Sequence, residues 1–397
     1  MANPNIVELG CAEEYTVIVT ARDLVTYAAE LSWSSISWSR VLDEVSTASV
    51  TIPDVFGGLR CNIEFGDTIV PWRFGLRIER NGSEVWSGPI TSITRPERDG
   101  AGTDYVEIMA SDIMMWMAKR TTTASQLYTD RDGGVVFKGV LDDATQFDNL
   151  FDLRCPTFAT GFTMTREILA LDFEYSLDIL SELANSAVDY FVLGKELVVY
   201  DVSDAGWFVL RDGVKTRIAA TDDPFGRYIY GLFTDDAYVA RPGFTIDGMS
   251  QANNVFVPGA DSGEAGFRLY WQASNVDLNY GLLSHVDVSS LYRPSSDGPI
   301  IADAVFQEQA DSILALRAQP IVVLSGGALS ESAPVRIQDL LPGSLWAMDL
   351  AEVGVARLLD VQRLKRVDVE VSISKAGIVE RVRPTLIPVG SDESVIG

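Results

Sequence analysis

Apolar and polar positions alternate through the first part of the chain in the short runs that build strands. Tyr15-Thr-Val-Ile-Val-Thr20 is rich in β-branched residues, and Ala48-Ser-Val-Thr-Ile52 sets Val50 and Ile52 on one face before Pro53 ends it. Trp33-Ser-Ser-Ile-Ser-Trp38, Phe74-Gly-Leu-Arg-Ile-Glu79 and Tyr105-Val-Glu-Ile-Met109 continue the series, the first of them with a looser alternation. Within Glu79-Arg-Asn-Gly-Ser-Glu-Val-Trp-Ser-Gly-Pro-Ile-Thr-Ser-Ile93, the pair Asn81-Gly82 asks for positive φ twice, which predicts a tight hairpin turn. On the return strand Val85 and Ser87 face one way, Trp86 and Gly88 the other. Gly88-Pro89 then interrupts the ladder, since proline brings no amide hydrogen. About six strands separated by turn signals predict a small barrel or sandwich up to residue 110.

The period then lengthens. A cluster of Met and Trp between Asp112 and Arg120, Trp116 among them, reads as a short helix. Asp132 is placed to cap a helix from about Gly134 to Phe147, in which Val136, Val140 and Ala144 align, as do Phe137 and Leu141. Ser176 is placed to cap a second, with Leu177, Leu180, Ala184 and Val188 in one stripe. Tyr190-Phe-Val-Leu-Gly-Lys-Glu-Leu-Val-Val-Tyr200 follows as a hairpin turning at Gly194-Lys195. Strands return at Asn254-Val-Phe-Val257 and Phe267-Arg-Leu-Tyr-Trp271. A third helix spans about Ile301 to Leu316, with Val305, Phe306, Ala310, Ile313 and Leu314 on its apolar face and Pro320 limiting its end. From Ile321 to about Leu386 strands dominate again. The stretches 202–206 and 258–266 read as exposed loops.

Composition narrows the function classes. The 397 residues hold 47% hydrophobic side chains, enough for two or three domains with substantial cores. With 56 Asp and Glu against 31 Lys and Arg, the formal charge is −25, which argues against a nucleic-acid-binding surface. Such acidity aids solubility, and it is compatible with a wall past which DNA slides. No run of about 18 apolar residues marks a membrane helix, and the N-terminus lacks a basic start and apolar core, so synthesis in the cytoplasm is the expectation. Cys11, Cys61 and Cys155 fit no zinc or redox spacing and read as reduced, buried thiols.

Catalytic candidates are few. The single histidine, His285, sits in Leu283-Ser-His-Val-Asp287, yet the serines lack a Gly-x-Ser-x-Gly context, so a strand or surface role is the better reading. Asp172, Glu174 and Asp178 could be paired carboxylates, but a helix starting near Ser176 gives them an ordinary place at its N-terminus. Asp142-Asp143 is read on the polar side of its helix, and Asp222-Asp223 before Pro224 as a turn. Gly133-Gly134 lacks the lysine of a phosphate loop. The eight tryptophans are read as core or interface packing rather than a carbohydrate platform. Phe56-Gly-Gly-Leu59 is a candidate docking tip. No catalytic, metal or cofactor residue is assigned.

The two β regions echo each other. Gly66-Asp-Thr-Ile, Trp86-Ser-Gly-Pro-Ile-Thr-Ser-Ile and Tyr105-Val-Glu-Ile run parallel to Gly343-Ser-Leu-Trp, Arg357-Leu-Leu-Asp-Val-Gln-Arg-Leu and Asp368-Val-Glu-Val. A second set of segments runs the length of the chain: Trp38-Ser-Arg-Val-Leu-Asp-Glu-Val-Ser-Thr-Ala-Ser-Val-Thr-Ile-Pro53, Val85-Trp-Ser-Gly-Pro-Ile90, Ala110-Ser-Asp-Ile-Met-Met-Trp116, Ser176-Leu-Asp-Ile-Leu-Ser-Glu-Leu183, Asn253-Asn-Val-Phe-Val-Pro-Gly259, the helix before Pro320 and Asp339-Leu-Leu-Pro-Gly-Ser344. In this order they resemble the tail hub, or tail-associated minor tail protein, of phages with long non-contractile tails. The chain is similar to the baseplate hub of contractile tails as well, and in style it is closest to phages of actinobacteria. The motifs are loose individually, but their order spans nearly the whole chain.

The resemblance implies a mainly β fold with α+β parts: two tube-forming β-barrel domains connected by smaller α/β domains. On that pattern residues 1–110 form the first barrel and 111–230 a connecting α+β domain. Residues 231–300 begin the second barrel, 301–319 supply the helix of a second α/β part, and 320–397 complete the barrel and tail. It further implies a homotrimer that meets a distal tail ring protein, a tape measure protein and tip or fibre proteins at the virion tail tip, with DNA only in transit. Trp38, Trp86, Gly88, Pro89, Trp116, Pro342 and Gly343 are the structural or interface candidates. The chain stops soon after Pro388, where many long-tail hubs carry lytic or adhesive extensions, so an enzyme is not expected. The rival readings are a hexameric distal-tail ring protein, a glycan-binding tail adhesin and a tail-associated cell-wall hydrolase.

Overall fold

Asn81 and Gly82 adopt φ of 49° and 74°, both left-handed, and so turn the chain between two strands of the first meander. The computed structural model describes residues 14–53, 69–94, 105–146, 155–211, 213–218, 228–230, 243–248, 251–261, 268–274 and 282–286. It further describes positions 307, 310, 311, 313, 314, 317, 318, 329 and 337, then 321–325, 340–349, 359–374 and 377–388. Cys11, Phe56 to Leu59, Cys61, Asp222-Asp223 and Pro320 lie outside them.

The described residues open with seven strands: β1 Tyr15–Ala21, β2 Tyr27–Leu31, β3 Ser35–Val41, β4 Thr47–Pro53, β5 Phe74–Arg80, β6 Ser83–Thr94 and β7 Tyr105–Ser111. The middle region holds β8 Gln126–Asp132, helix α1 Gly133–Thr145, β9 Thr163–Ile168, helix α2 Ser176–Ser186, β10 Tyr190–Leu193, β11 Glu196–Asp201, β12 Gly206–Arg211 and β13 Val214–Arg217. Then come β14 Tyr228–Tyr230, β15 Gly243–Asp247, β16 Asn254–Asp261, β17 Arg268–Ser274, β18 Ser284–Val286, β19 Ile321–Ser325, β20 Leu345–Asp349, β21 Leu359–Ser374 and β22 Gly377–Pro388. The fold is mainly β with α+β parts.

Both ends of the chain enter one 13-stranded sheet, in the order β15-β19-β22-β21-β3-β4-β7-β6-β5-β1-β2, with β20 on β21 and β14 on β20. Antiparallel pairing of β21 with β3, from Arg366 opposite Val41 to Ser372 opposite Ser35, joins the two halves. Among the described residues the pairs trace an open path, without a ring closing either expected barrel. Strands β16, β17 and β18 pair with one another rather than with this sheet. Val255, Val257 and Ala273 of that small sheet pack with Ala310 and Ile313 of the third helical segment.

Two long strands change partners along their length. The front of β6 pairs with β5 and its end with β7, the exchange falling at Pro89 and Ile90. In β21, residues 359–363 pair with β20 and residues 366–372 with β3, while β22 runs alongside from Gln362 to Ser374. Lys365 is the bulged residue between the two registers, and the bulge lets one strand serve two neighbours. The expected echo is corrected here: Trp86–Ile93 and Tyr105–Ile108 fall on two strands, β6 and β7, whereas 359–364 and Asp368–Val371 fall on the single strand β21, and β14 joins β20 in parallel where β1 joins β5 antiparallel.

Burial departs from simple alternation in β6. Val85, Trp86, Ser87, Gly88, Pro89 and Ile90 are all buried, so both faces of the return strand are covered. Gly88 allows this: a Cβ there would lie 1.9 Å from the Ser111 carbonyl oxygen, a backbone atom that cannot rotate away. Asp132 caps α1 by accepting from Gly134 N at 2.8 Å, and Asp112 likewise opens the 3-10 helix Ile113–Lys119. The cap of α2 is corrected. Tyr175 occupies the N-cap position without a side-chain bond, and Ser176 is the first helical residue, its side chain buried.

Gly88→Ala should lower unfolding stability by about 3 kcal/mol, because the overpacked neighbour is main chain. Gly82→Ala, with nothing within 4 Å of the added carbon, should cost only the left-handed strain of about 1 kcal/mol. Urea midpoints of the two variants measure the contrast; equal losses would mean that β6 has room to shift.

Candidate functional site: the joint around the β3–β4 turn

Leu42-Asp-Glu-Val-Ser46 is a short turn between β3 and β4, and three parts of the molecule meet on it. Leu42 N donates to Lys365 O at 2.9 Å, which ties the turn to the β21 bulge. Asp43 takes a left-handed φ of 62°, a conformation aspartate tolerates better than most residues. Its N–H donates to Tyr190 O and its Oδ1 accepts from Tyr190 N, both at 2.8 Å, so its side chain extends the edge of β10. Glu44 Oε1 lies 3.3 Å from Lys365 Nζ, and Arg363 reaches Asp189 at 2.5 Å.

The third attachment is Asp112. Ser46 N donates to its Oδ2 at 2.6 Å and Met114 N to its Oδ1 at 2.9 Å, while Asp112 N donates back to Ser46 O at 2.9 Å. One carboxylate thus fastens the sheet to the 3-10 helix it caps. Burial pushes the Asp112 carboxyl up to about 7, against the downward pull of the bonds from Ser46 and Met114. The Tyr190 hydroxyl is pushed well up by burial first and then by Asp112, Asp43 and Glu44.

Apolar packing completes the joint. Leu42 is buried with Phe191, Val198, Trp207 and Leu341. Gly343 holds φ at 85°, and a Cβ there would come within 2.2 Å of the Trp207 ring. Pro342 and Gly343 are accordingly buried inside the chain against the middle region.

A second constellation ties the chain's ends. Arg80 on β5 and Glu380 on β22 form a bidentate pair, Nε to Oε1 at 2.9 Å and Nη2 to Oε2 at 3.0 Å, with both side chains 1% exposed. The Tyr15 hydroxyl donates to the same Glu380 Oε1. Burial, then Glu380, holds the Tyr15 hydroxyl far above its ordinary range; for Arg80 the bond and charge of Glu380 outweigh burial and raise it. Nearby, the buried Arg40 guanidinium donates to Ile337 O and Val85 O, each at 2.9 Å, and lies 5.0 Å from the Trp38 ring. Burial brings Arg40 down to about 10, so it still carries its charge at neutral pH.

These charged residues were missed in the sequence, yet a signal was there. Leu76, Ile78 and Arg80 share one face of β5, as Ile36, Trp38 and Arg40 share one face of β3. A charge in register with a buried apolar face has to find a partner inside.

The structural or interface candidates sit in the interior of the single chain. Trp38 and Trp86 belong to the core of the large sheet, and Trp116 stacks edge-on with Trp72 at 5.3 Å in the core of the middle region. Asp143 corrects the expectation of a polar helix face: it is buried and accepts from Thr123 N at 2.7 Å, whereas Asp142 pairs with Lys138 outside. Asp172, Glu174 and Asp178 are exposed, and His285 lies partly buried on β18 opposite Val255. Cys155 is a buried free thiol, pushed up to about 12 by burial. Among the described residues no group of three or more His, Cys, Asp or Glu could hold a metal, and no helix is long and apolar enough to cross a membrane.

No protein-family model matches the sequence, and neither does any curated protein. The fold, by contrast, is shared with solved structures along almost its whole length. The tail protein from Neisseria meningitidis MC58 superposes with a TM-score of 0.57 at 13% identity, covering 95% of this chain and 97% of that one. The 43 kDa tail protein of prophage MuSo2 from Shewanella oneidensis gives 0.56 at 10% identity, over 95% and 98% of the two chains. Prophage tail protein gp18 from Listeria monocytogenes EGD-e gives 0.51 at 13% identity, over 96% of each.

Removing one partner of the Arg80–Glu380 pair should be costly, since the other charge stays buried. Arg80→Met or Glu380→Met alone should lose about 3–5 kcal/mol, while the double change should lose clearly less than the sum. A double-mutant cycle in urea measures this; strict additivity would mean that the pair carries no coupling.

Asp112 has a raised carboxyl, so the folded state takes up its proton at higher pH than the unfolded chain does. Its contribution to stability is full below about pH 4 and is lost as pH rises towards 7, by at most ~4 kcal/mol. Stability of the wild type relative to Asp112→Asn, followed from pH 4 to 7.5, should therefore fall; a flat or rising difference would refute the assignment.

Proposed function

We propose that this chain is a non-catalytic structural subunit of a phage tail, acting as a homotrimeric hub at the tail tip. It would join the distal tail ring to the tip and enclose the DNA channel until ejection. The observation that carries this reading is the fold shared from end to end with tail proteins of matching length, such as that of Neisseria meningitidis. The resemblance of the ordered sequence motifs points the same way and adds the hub position, the trimer and the neighbours: the distal ring, the tape measure protein and tip or fibre proteins.

The joint gives the reading a physical sense. A subunit that holds a tube must pass load between its parts without hinging. Here the Leu42–Ser46 turn is bonded at once to β21, β10 and the cap of the 3-10 helix, and packed against the turn at Gly343. The charge of −25 suits a channel wall, because phosphates meeting fixed cations would be held by a salt-sensitive attraction and slowed. In a trimeric ring the lumen would be acidic or neutral.

Native mass measurement of the purified protein, or of the ring released from tails, should give three times the 43.4 kDa of one chain. Cryo-EM of intact particles should place those copies at the distal end of the tube. Six copies in a ring would instead favour the distal-tail ring protein. Tight binding of duplex DNA by the assembled ring at moderate salt would overturn the channel assignment.

A further inference from the structure

Among the described residues, one apolar projection is left uncovered by the rest. Leu127 of β8 stands opposite Glu167 of β9, and Leu169, two residues beyond Glu167, follows on the same side of the ribbon. The chain then turns through Ala170–Asp172 to Phe173 and Tyr175, the latter bridged to Thr121. Leu127 is 58% exposed, Leu169 40%, Phe173 67% and Tyr175 50%. Phe173 is also held at φ 53°, a left-handed backbone in which a bulky side chain is rare.

The projection is braced from beneath. Ala170 N donates to Ser125 Oγ at 3.1 Å, Thr122 N to Glu174 O at 3.2 Å and Ser176 N to Arg120 O at 2.8 Å. Arg166, buried below it, reaches Glu182 at 2.6 Å and Glu174 at 3.8 Å. A preformed apolar surface of this kind binds without the cost of ordering its own loop.

Charge selects the occupant. Glu167, Asp172, Glu174, Asp178 and Glu182 are exposed on the same run of chain, while the Arg166 guanidinium is drawn inward to Glu174 and Glu182 and that of Arg120 donates to Ala144 O. Two copies docked patch to patch would oppose these carboxylates, a like-charge arrangement that disfavours self-association. A nucleic acid would be repelled. We propose that Leu127, Leu169, Phe173 and Tyr175 form a docking surface for a segment of another protein that presents apolar side chains flanked by lysine or arginine. The inference stands on this surface alone and does not depend on the tail reading.

The test uses the full chain and a labelled amphipathic peptide of lysine and leucine, with a glutamate and leucine peptide as its counterpart. Fluorescence anisotropy should show binding of the lysine peptide only, weakening as salt rises. The double variant Phe173→Asn and Tyr175→Ser should bind roughly tenfold more weakly, in line with the loss of central aromatic anchors. Asparagine tolerates the left-handed φ, and unfolding midpoints of the variant confirm that it folds. Val214→Ser removes another exposed apolar side chain elsewhere and should change nothing. Equal binding by wild type and double variant, no binding, or salt-independent binding would each overturn the proposal. So would self-association of the wild type that the double variant abolishes, which would make a second copy the occupant.

Discussion

A guanidinium and a carboxylate 300 residues apart in the chain meet out of water, and the large sheet can form in only one way around them. Arg80 comes from the first meander and Glu380 from the last strand, so their pairing requires β22 and its partner β21 to lie across the N-terminal strands. The β21–β3 ladder imposes the same condition through the backbone. A shift of one residue there would send Val367, Val369 and Val371, now buried, to the opposite face. It would also carry Glu380 away from Arg80 and leave both charges without compensation. A buried pair of this kind adds little net stability, but every competing register has to bear its desolvation. The closure entropy of so long a loop grows only slowly with its length, so a well-packed register can meet it.

Local structure was legible in the chain wherever one residue type answers one steric or hydrogen-bonding demand. Asn81-Gly82 and Gly194 read correctly as left-handed turns, and Asp132 as the cap of α1. The stripes Val136, Val140, Ala144 and Leu180, Ala184, Val188 are all in the core of the middle region. The failures share a different cause. Ser176 looks like a cap and is one residue inside the helix, because the bridge from Tyr175 to Thr121 fixes where the chain enters it. Asp143 looks exposed beside Asp142, yet Thr123 draws it inward. In each case a partner distant in sequence outweighs the local preference.

The joint was illegible for the same reason. Within Trp38–Pro53 the composition of Leu42-Asp-Glu-Val-Ser46 does not show what the turn is bonded to. Only the fold reveals that its backbone groups are shared out among β21, β10 and the 3-10 helix. Glycine 343 belongs with it, since the Trp207 ring occupies the space a side chain would need. Of the core or interface roles expected of the tryptophans, these take the former and fill intramolecular seams: Trp207 at the joint, Trp38 and Trp86 in the sheet, Trp116 on the buried side of the 3-10 helix. Whatever surfaces meet other chains must then be sought among residues that the fold leaves outside.

That search is constrained by where the charge stands. The buried cations Arg40, Arg80, Arg166 and Lys365 are offset among the described residues by the buried acids Asp43, Asp112, Asp143 and Asp201, with the side chain of Glu380 beside them. Among the described residues the interior is therefore close to neutral, and exposed acids such as Glu167, Asp172, Glu174 and Asp178 stand outside it. An exterior of that kind keeps copies apart in solution unless specific apolar contacts overcome the repulsion. Assembly would then depend on few, well-placed apolar side chains and on partners of opposite charge, with contacts strengthened at low ionic strength. In the proposed tail such a chain would be well braced within itself and selective about its neighbours. Both would follow from one allocation of charge, with the Arg80–Glu380 pair turned inward to fix the fold and exposed acids left to choose what may touch it.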